Sequence, residues 1–239
     1  FIAGSRSLNA FGALTASTFA PVPELVPVTT ITADGTVNLD ITVTYVTYTD
    51  DVSVDTSSFD FRDVEITRQS FSESLLTPAS VATTTVNVDG QDRDAAVYTF
   101  TAPGGTFDAT ENGTWFVSLR EGEILDNLGL YSAPRELGQF NVSIDAANVF
   151  FVNTTLDTID ANLGDGVAED SAGRTSLRAA IMHANQAGAA TTIVIPDGVY
   201  ALTIPGKLED AAATGDLDLT SSQGITIVGG GALSTTIDA

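Results

Sequence analysis

The chain has 239 residues, 43% of them hydrophobic, with 31 acidic and 9 basic residues and a net charge of −22. Such a surface repels nucleic acid and anionic membranes, so neither nucleic-acid binding nor membrane insertion is expected. No Cys is present, which excludes disulfides and thiolate metal sites, and no apolar run is long enough to span a bilayer.

The first segment, 1–27, ends in APVPELVPV, where Pro21, Pro23 and Pro27 favour an extended linker. Its opening, FIAGSRSLNAFGAL, carries a single positive charge and is too broken by small and polar residues to read as a signal peptide. Phe1, Ile2, Leu8 and Phe11 are nevertheless large and apolar. Two readings stay open: the segment packs along its own neighbouring domain, or it is a strand donated to another subunit.

Residues 28–145 read as a run of strands. NLDITVTYVTYT places Leu39, Ile41, Val43 and Tyr45 on one face, which predicts a half-buried strand. Further strands are expected at FDFRDVEITRQ, SVATTTVNV, AAVYTFTA, TWFVSLR and LGQFNVSI, with Gly, Asp and Asn between them. Many strands at short spacing without helices predict an antiparallel β-sandwich. Its expected core aromatics are Tyr98, Phe100, Trp115 and Phe140.

Residues 146–239 change character. A strand at Phe150–Val152 is followed by an acidic loop and one helix. Leu177, Ala180, Ile181 and Ala184 form its apolar face, Thr175 or Ser176 its N-cap, and Gly188 its stop. TTIVIP, GVYALTI, DLDLT and ITIVGG then read as short buried strands, with Gly229–Gly231 as a sharp corner. This order predicts the helix-capped start of a right-handed parallel β-helix, an all-β fold overall. A solenoid normally needs about three repeats. The expectation is therefore a piece of a longer protein, or a subunit that stacks on a neighbouring copy.

Chemistry is sparse. His183 is the only His and sits on the helix, where a packing role is expected, and no Ser or Thr has a recognisable base partner. Metal binding is the best candidate. Asp157, Asp160, Asn162, Asp165 and Asp170, with Glu169, lie in one Gly-rich loop, and oxygen donors on a loop suit calcium. The spacing departs from an EF-hand, and a solvated acidic turn is the plain alternative. Asp50, Asp51, Asp55 and Asp126 form a second candidate at one end of the sandwich, where turn residues are the plain alternative. Asp216 and Asp218 alternate with Leu217 and Leu219, which inward-apolar patterning already explains. Arg178 is expected to pair with a carboxylate of the acidic loop.

GRTSLRAAIMHANQAG followed by TTIVIPDGVYALTI resembles the N-terminal capping segment of bacterial β-helix proteins of the CSLREA type. The motif falls on Thr175, Ser176, Leu177, Arg178, Ala179 and Ala180, with Thr175 in place of the usual Cys and Ala179 in place of the usual Glu. The stretch ITVTYVTYTDDVSVDTSSFDFRDVEIT, with YTFTAPGGTFDATENGTWFVSL, is similar to Ig-like repeats of giant bacterial surface proteins and adhesins. The two resemblances imply a secreted or cell-surface structural or adhesive module, without enzymatic activity, often calcium-dependent. Its expected partners are further copies joined through β-edges such as that of Ile237, and cell-surface glycans. Two alternatives stay open: the front of a pectate-lyase-like β-helix enzyme, and a carbohydrate-binding module using Tyr131 or Tyr200.

Overall fold

The computed structural model describes residues 20–46, 53–145 and 147–239, and of residues 73–75 the backbone alone. Phe1, Ile2, Leu8, Phe11, Asp50 and Asp51 lie outside the described residues. The chain is all-β: among the described residues, thirteen strands accompany a single α-helix of ten residues. Two compact units are present. One is built from Leu75–Phe107, Thr114–Val142 and the described part of Phe1–Thr67, and the other from Arg68–Ser74, Asp108–Gly113 and Ser143–Ala239. The expected change near residue 146 thus falls at Ser143, but two earlier segments also belong to the second unit.

In the first unit β1 (Val22–Leu25), β2 (Asn38–Val46), β5 (Ser80–Val88) and β6 (Gln91–Thr101) form one sheet in the order β1-β2-β6-β5. A second sheet of this unit orders β3 (Val64–Arg68), β7 (Gly113–Leu119) and β8 (Arg135–Val142) as β3-β7-β8; β4 (Phe71–Leu76) falls mostly in the second unit. The alternation that predicts β2 is seen: Leu39, Ile41, Val43 and Tyr45 are all buried. So are all four expected core aromatics. Trp115 stacks on Phe140 and meets Phe107 edge-on, each at 6.2 Å between centroids; such pairs add to the area they bury.

Three local features differ from the sequence reading. Val22–Leu25 is a strand, antiparallel to β2, inside the segment expected to be a linker. Pro23 is tolerated because β1 is an edge, where a missing N–H costs no ladder bond. The expected loop DGQDRD shrinks to Asp89 and Gly90. Both have positive φ (53° and 80°), and β5 and β6 pair directly on either side, Val88 opposite Gln91. That is the backbone a two-residue hairpin requires, and Asp-Gly supplies it. FSESLL, which the sequence reading leaves between strands, forms strand β4.

In the second unit β9 (Val149–Phe151), β10 (Thr191–Ile195) and β12 (Ile225–Gly229) form a parallel sheet in the order β12-β10-β9. Strands β11 (Gly198–Ala201) and β13 (Thr235–Asp238) pair in parallel beside it. Helix α1 (Leu177–Gln186) starts at Ser176, whose side chain accepts the Ala179 N–H. It is buried well beyond one stripe, since Arg178, Ala179 and Met182 are enclosed along with the predicted face. Its C-cap is Ala187 in an extended conformation, not Gly188. The core gathers Val152, Leu177, Ile181, Ile193, Ile195 and Tyr200. At Gly230 a Cβ would lie 2.1 Å from Oδ1 of Asp197, so that carboxylate would have to shift to admit a side chain.

DLDLT is not a strand. Side chains replace its ladder: the Asn185 amide donates to the Asp218 carbonyl and accepts the Thr220 N–H, at 2.7 and 2.8 Å.

Candidate functional site

Arg178 is the most constrained polar group of the second unit. It is wholly buried on the first turn of α1. Its Nε and one Nη grip the two oxygens of Asp157 at 2.5 and 3.2 Å. Its remaining donors reach the carbonyls of Ala212, Gly215 and Asp216 at 2.7, 2.7 and 3.4 Å. All the donors of the guanidinium fork are used. Asp157 is equally spent, since its Oδ2 also accepts the N–H groups of Thr203 and Ile204. Burial pushes the Asp157 carboxyl up, but the bonds from Arg178, Ile204 and Thr203 outweigh it and hold the group below the usual carboxylate range. The expected pairing of Arg178 with the acidic loop is seen, and it removes Asp157 from the candidate calcium ligands.

The other loop acids serve the backbone. Asp160 Oδ1 accepts the Asn162 N–H, Asn162 Oδ1 the Gly164 N–H, Asp165 the Val167 N–H and Asp170 the Ala172 N–H. Each is a side chain bonding its own chain two residues on, as Asx turns do. Asp170 also takes the Arg174 side chain at 3.0 Å. This bond, against the opposing pull of burial and aided by the Ala172 and Arg174 N–H groups, holds its carboxyl far below the ordinary value. Asp160 is buried with its Oδ2 3.4 Å from His183 Nδ1, and the His183 ring lies edge-on to Phe150. The loop is therefore a chain of local turns, and its carboxylates do not converge on one point.

In the first unit Asp126 is buried, and its Oδ1 accepts the N–H groups of Leu128 and Leu130, both at 2.8 Å. It organises its own turn. Asp55 caps the short 3₁₀ turn Thr56–Ser58. Among the described residues the one group of three ligating side chains that does converge is Asp60, Asp63 and Glu123, with atoms within 4.8 Å of one another. No sequence spacing brings Glu123 to Asp63; their juxtaposition depends on the pairing of β3 with β7.

The open edge of the parallel stack is the second feature. Ile193 and Val194 of β10 are fully buried, whereas Ile227 and Val228, their register partners on β12, are 38% and 36% exposed. Tyr200 of β11 is 4% exposed and its partner Ile237 on β13 is 47% exposed. The same positions that are covered one rung inward are bare at the edge. Burial of Tyr200, whose hydroxyl donates to the Pro196 carbonyl, removes it from the candidate glycan platforms. Tyr131 is exposed. Asp216 and Asp218 lie on no strand, so strand alternation does not place them on one face.

No protein-family model matches this sequence, and no similar protein was found among curated ones.

Proposed function

We propose that this chain is a non-enzymatic extracellular structural module, an Ig-like sandwich followed in sequence by the opening coils of a right-handed parallel β-helix. Its working surface is the edge formed by β12 and β13, which takes up a further parallel strand, from a following coil or from a neighbouring copy. The observation that carries this reading is the change in exposure across one register step: Ile193 to Ile227, Val194 to Val228 and Tyr200 to Ile237. An added strand would bury those side chains and satisfy the unpaired backbone groups of the edge. The acidic composition supports an extracellular, cation-rich setting, because self-repulsion at a net charge of −22 is relieved there.

Light scattering at rising protein concentration tests this. The wild type is expected to associate. The double variant Val228→Lys, Ile237→Lys is expected to stay monomeric with its Trp115 fluorescence unchanged. Association that persists in the double variant would contradict the reading.

A further inference from the structure

We propose that Asp60, Asp63 and Glu123 form a binding site for a hard divalent cation, calcium being the best match, at one end of the sandwich. Asp60 and Asp63 bracket the turn that enters β3, and Glu123 lies in the turn that leaves β7. The Arg120 N–H donates to the Asp63 carbonyl at 2.8 Å, which ties the two turns together.

Asp63 is the anchor. It is fully buried, and its two oxygens have different fates. Oδ2 accepts the Tyr98 hydroxyl at 2.6 Å and the Asp60 N–H at 2.9 Å. Oδ1 is buried with no hydrogen-bond partner among the described residues. A buried carboxylate oxygen left unpaired is costly, and a coordinated cation would relieve that cost. Asp63 does not swing away from the site, because Tyr98 holds it and Tyr98 is in turn 3.2 Å from the Tyr45 hydroxyl.

The surrounding charge favours a cation. Glu123 is half-buried and Asp60 exposed, so the site has an inner anchor and an open mouth. Among the described residues none of the ion pairs involves these three acids: Arg62, between Asp60 and Asp63 in sequence, is exposed, and Arg120, three residues before Glu123, is turned to Glu65 at 2.9 Å. The Arg62 N–H donates to Asp60 Oδ1 at 2.7 Å and orients that carboxylate. Burial first, then the negative charges of Asp60 and Glu123, push the Asp63 carboxyl up to about 6 despite the Tyr98 and Asp60 bonds. The donors are all oxygen, with no imidazole or sulfur among them. That set selects calcium or magnesium over zinc, and an irregular three-carboxylate mouth completed by water suits calcium better than the strict octahedron of magnesium.

The test uses the full chain stripped with chelator. Calcium is titrated by calorimetry, and terbium in its place is read by emission sensitised through Tyr98. The wild type is expected to bind with terbium emission on excitation of tyrosine. Asp60→Asn and Glu123→Gln, both at the accessible mouth, are each expected to weaken calcium by about tenfold or more, since affinity follows the count of charged ligands. Asp165→Asn, in the acidic loop, is expected to change nothing. Absence of calcium binding to the wild type would overturn the proposal. So would equal affinity in the Asp60 and Glu123 variants, or loss of binding in Asp165→Asn.

Discussion

The two units solve the same problem, satisfying buried polar groups, by different means. In the first unit the backbone is paired by long antiparallel ladders, seven residue pairs between β2 and β6 and nine between β5 and β6. Its buried polar links are few and separate: Tyr98 to Asp63, Ser132 to the Pro21 carbonyl, and Asp126 to its own turn. In the second unit the stretch between β11 and β12 has no ladder. Many of its carbonyls and N–H groups go instead to side chains, chiefly Arg178, Asn185, Glu209 and Asp157. A ladder spreads its cost over many weak bonds, whereas a buried fork concentrates it in one residue. The first unit should therefore tolerate single polar changes that the second does not.

Removing the fork is the most severe way to test that contrast. Arg178→Ala leaves the buried Asp157 carboxylate without its counter-charge and the buried Ala212 carbonyl without its donor, and should destabilise the second unit by about 3–5 kcal/mol. Amide exchange over Leu177–Gln186 should rise sharply. Trp115, the only Trp and part of the sandwich, should report an unfolding midpoint that moves little. A matching cut in the sandwich reverses the pattern. Ile66 is fully buried on β3, and Ile66→Ala should cost about 2–5 kcal/mol. The Trp115 midpoint should fall while exchange over α1 stays protected.

A smaller effect is expected at the helix start. Ser176 caps Ala179 and also donates to the Thr158 carbonyl at 2.5 Å, so Ser176→Ala should cost about 1–2 kcal/mol, seen again in α1 exchange. The mildest contrast is with pH. Asp63, pushed up to about 6, holds its proton in the folded state at pH values where the unfolded chain has lost it. Its folded state is thus penalised as pH rises from about 4 to 6. Asp157 and Asp170 are held low, so their stabilisation is complete above the unfolded value of about 4 and is lost as pH falls below it. In chelator, acidification from pH 7 to 4.5 should raise the Trp115 midpoint, and Asp63→Asn should abolish that rise. Below about pH 4 the exchange of α1 should increase first.

Much of the all-β pattern is visible in the sequence because period-2 alternation reports burial directly, as at Leu39 to Tyr45. The Ser176 cap and the start of α1 follow from local chemistry in the same way. What the sequence hides depends on partners far along the chain. Val22–Leu25 reads as a linker because its prolines mask an edge strand, whose pairing is supplied by β2. DLDLT has the alternation of a strand, but Arg178 and Asn185 take the bonds a neighbour would have made. The acids of the 157–170 loop share the composition of a calcium site, yet Asp160, Asp165 and Asp170 are turned onto the backbone N–H groups two residues on, and Asp157 onto Arg178. Asp60, Asp63 and Glu123 converge although 60 residues separate the last two, a separation no motif spacing encodes.

The central claim concerns the edge made by β12 and β13, and hydrogen exchange at increasing concentration of the Phe1–Ala239 chain tests it most directly. The expected result is protection that grows with concentration over Ile225–Gly229 and Thr235–Asp238, and is absent when Val228 and Ile237 are both replaced by Lys. Protection of those strands that does not depend on concentration, or that grows instead at the sandwich edges β1 and β5, would contradict it.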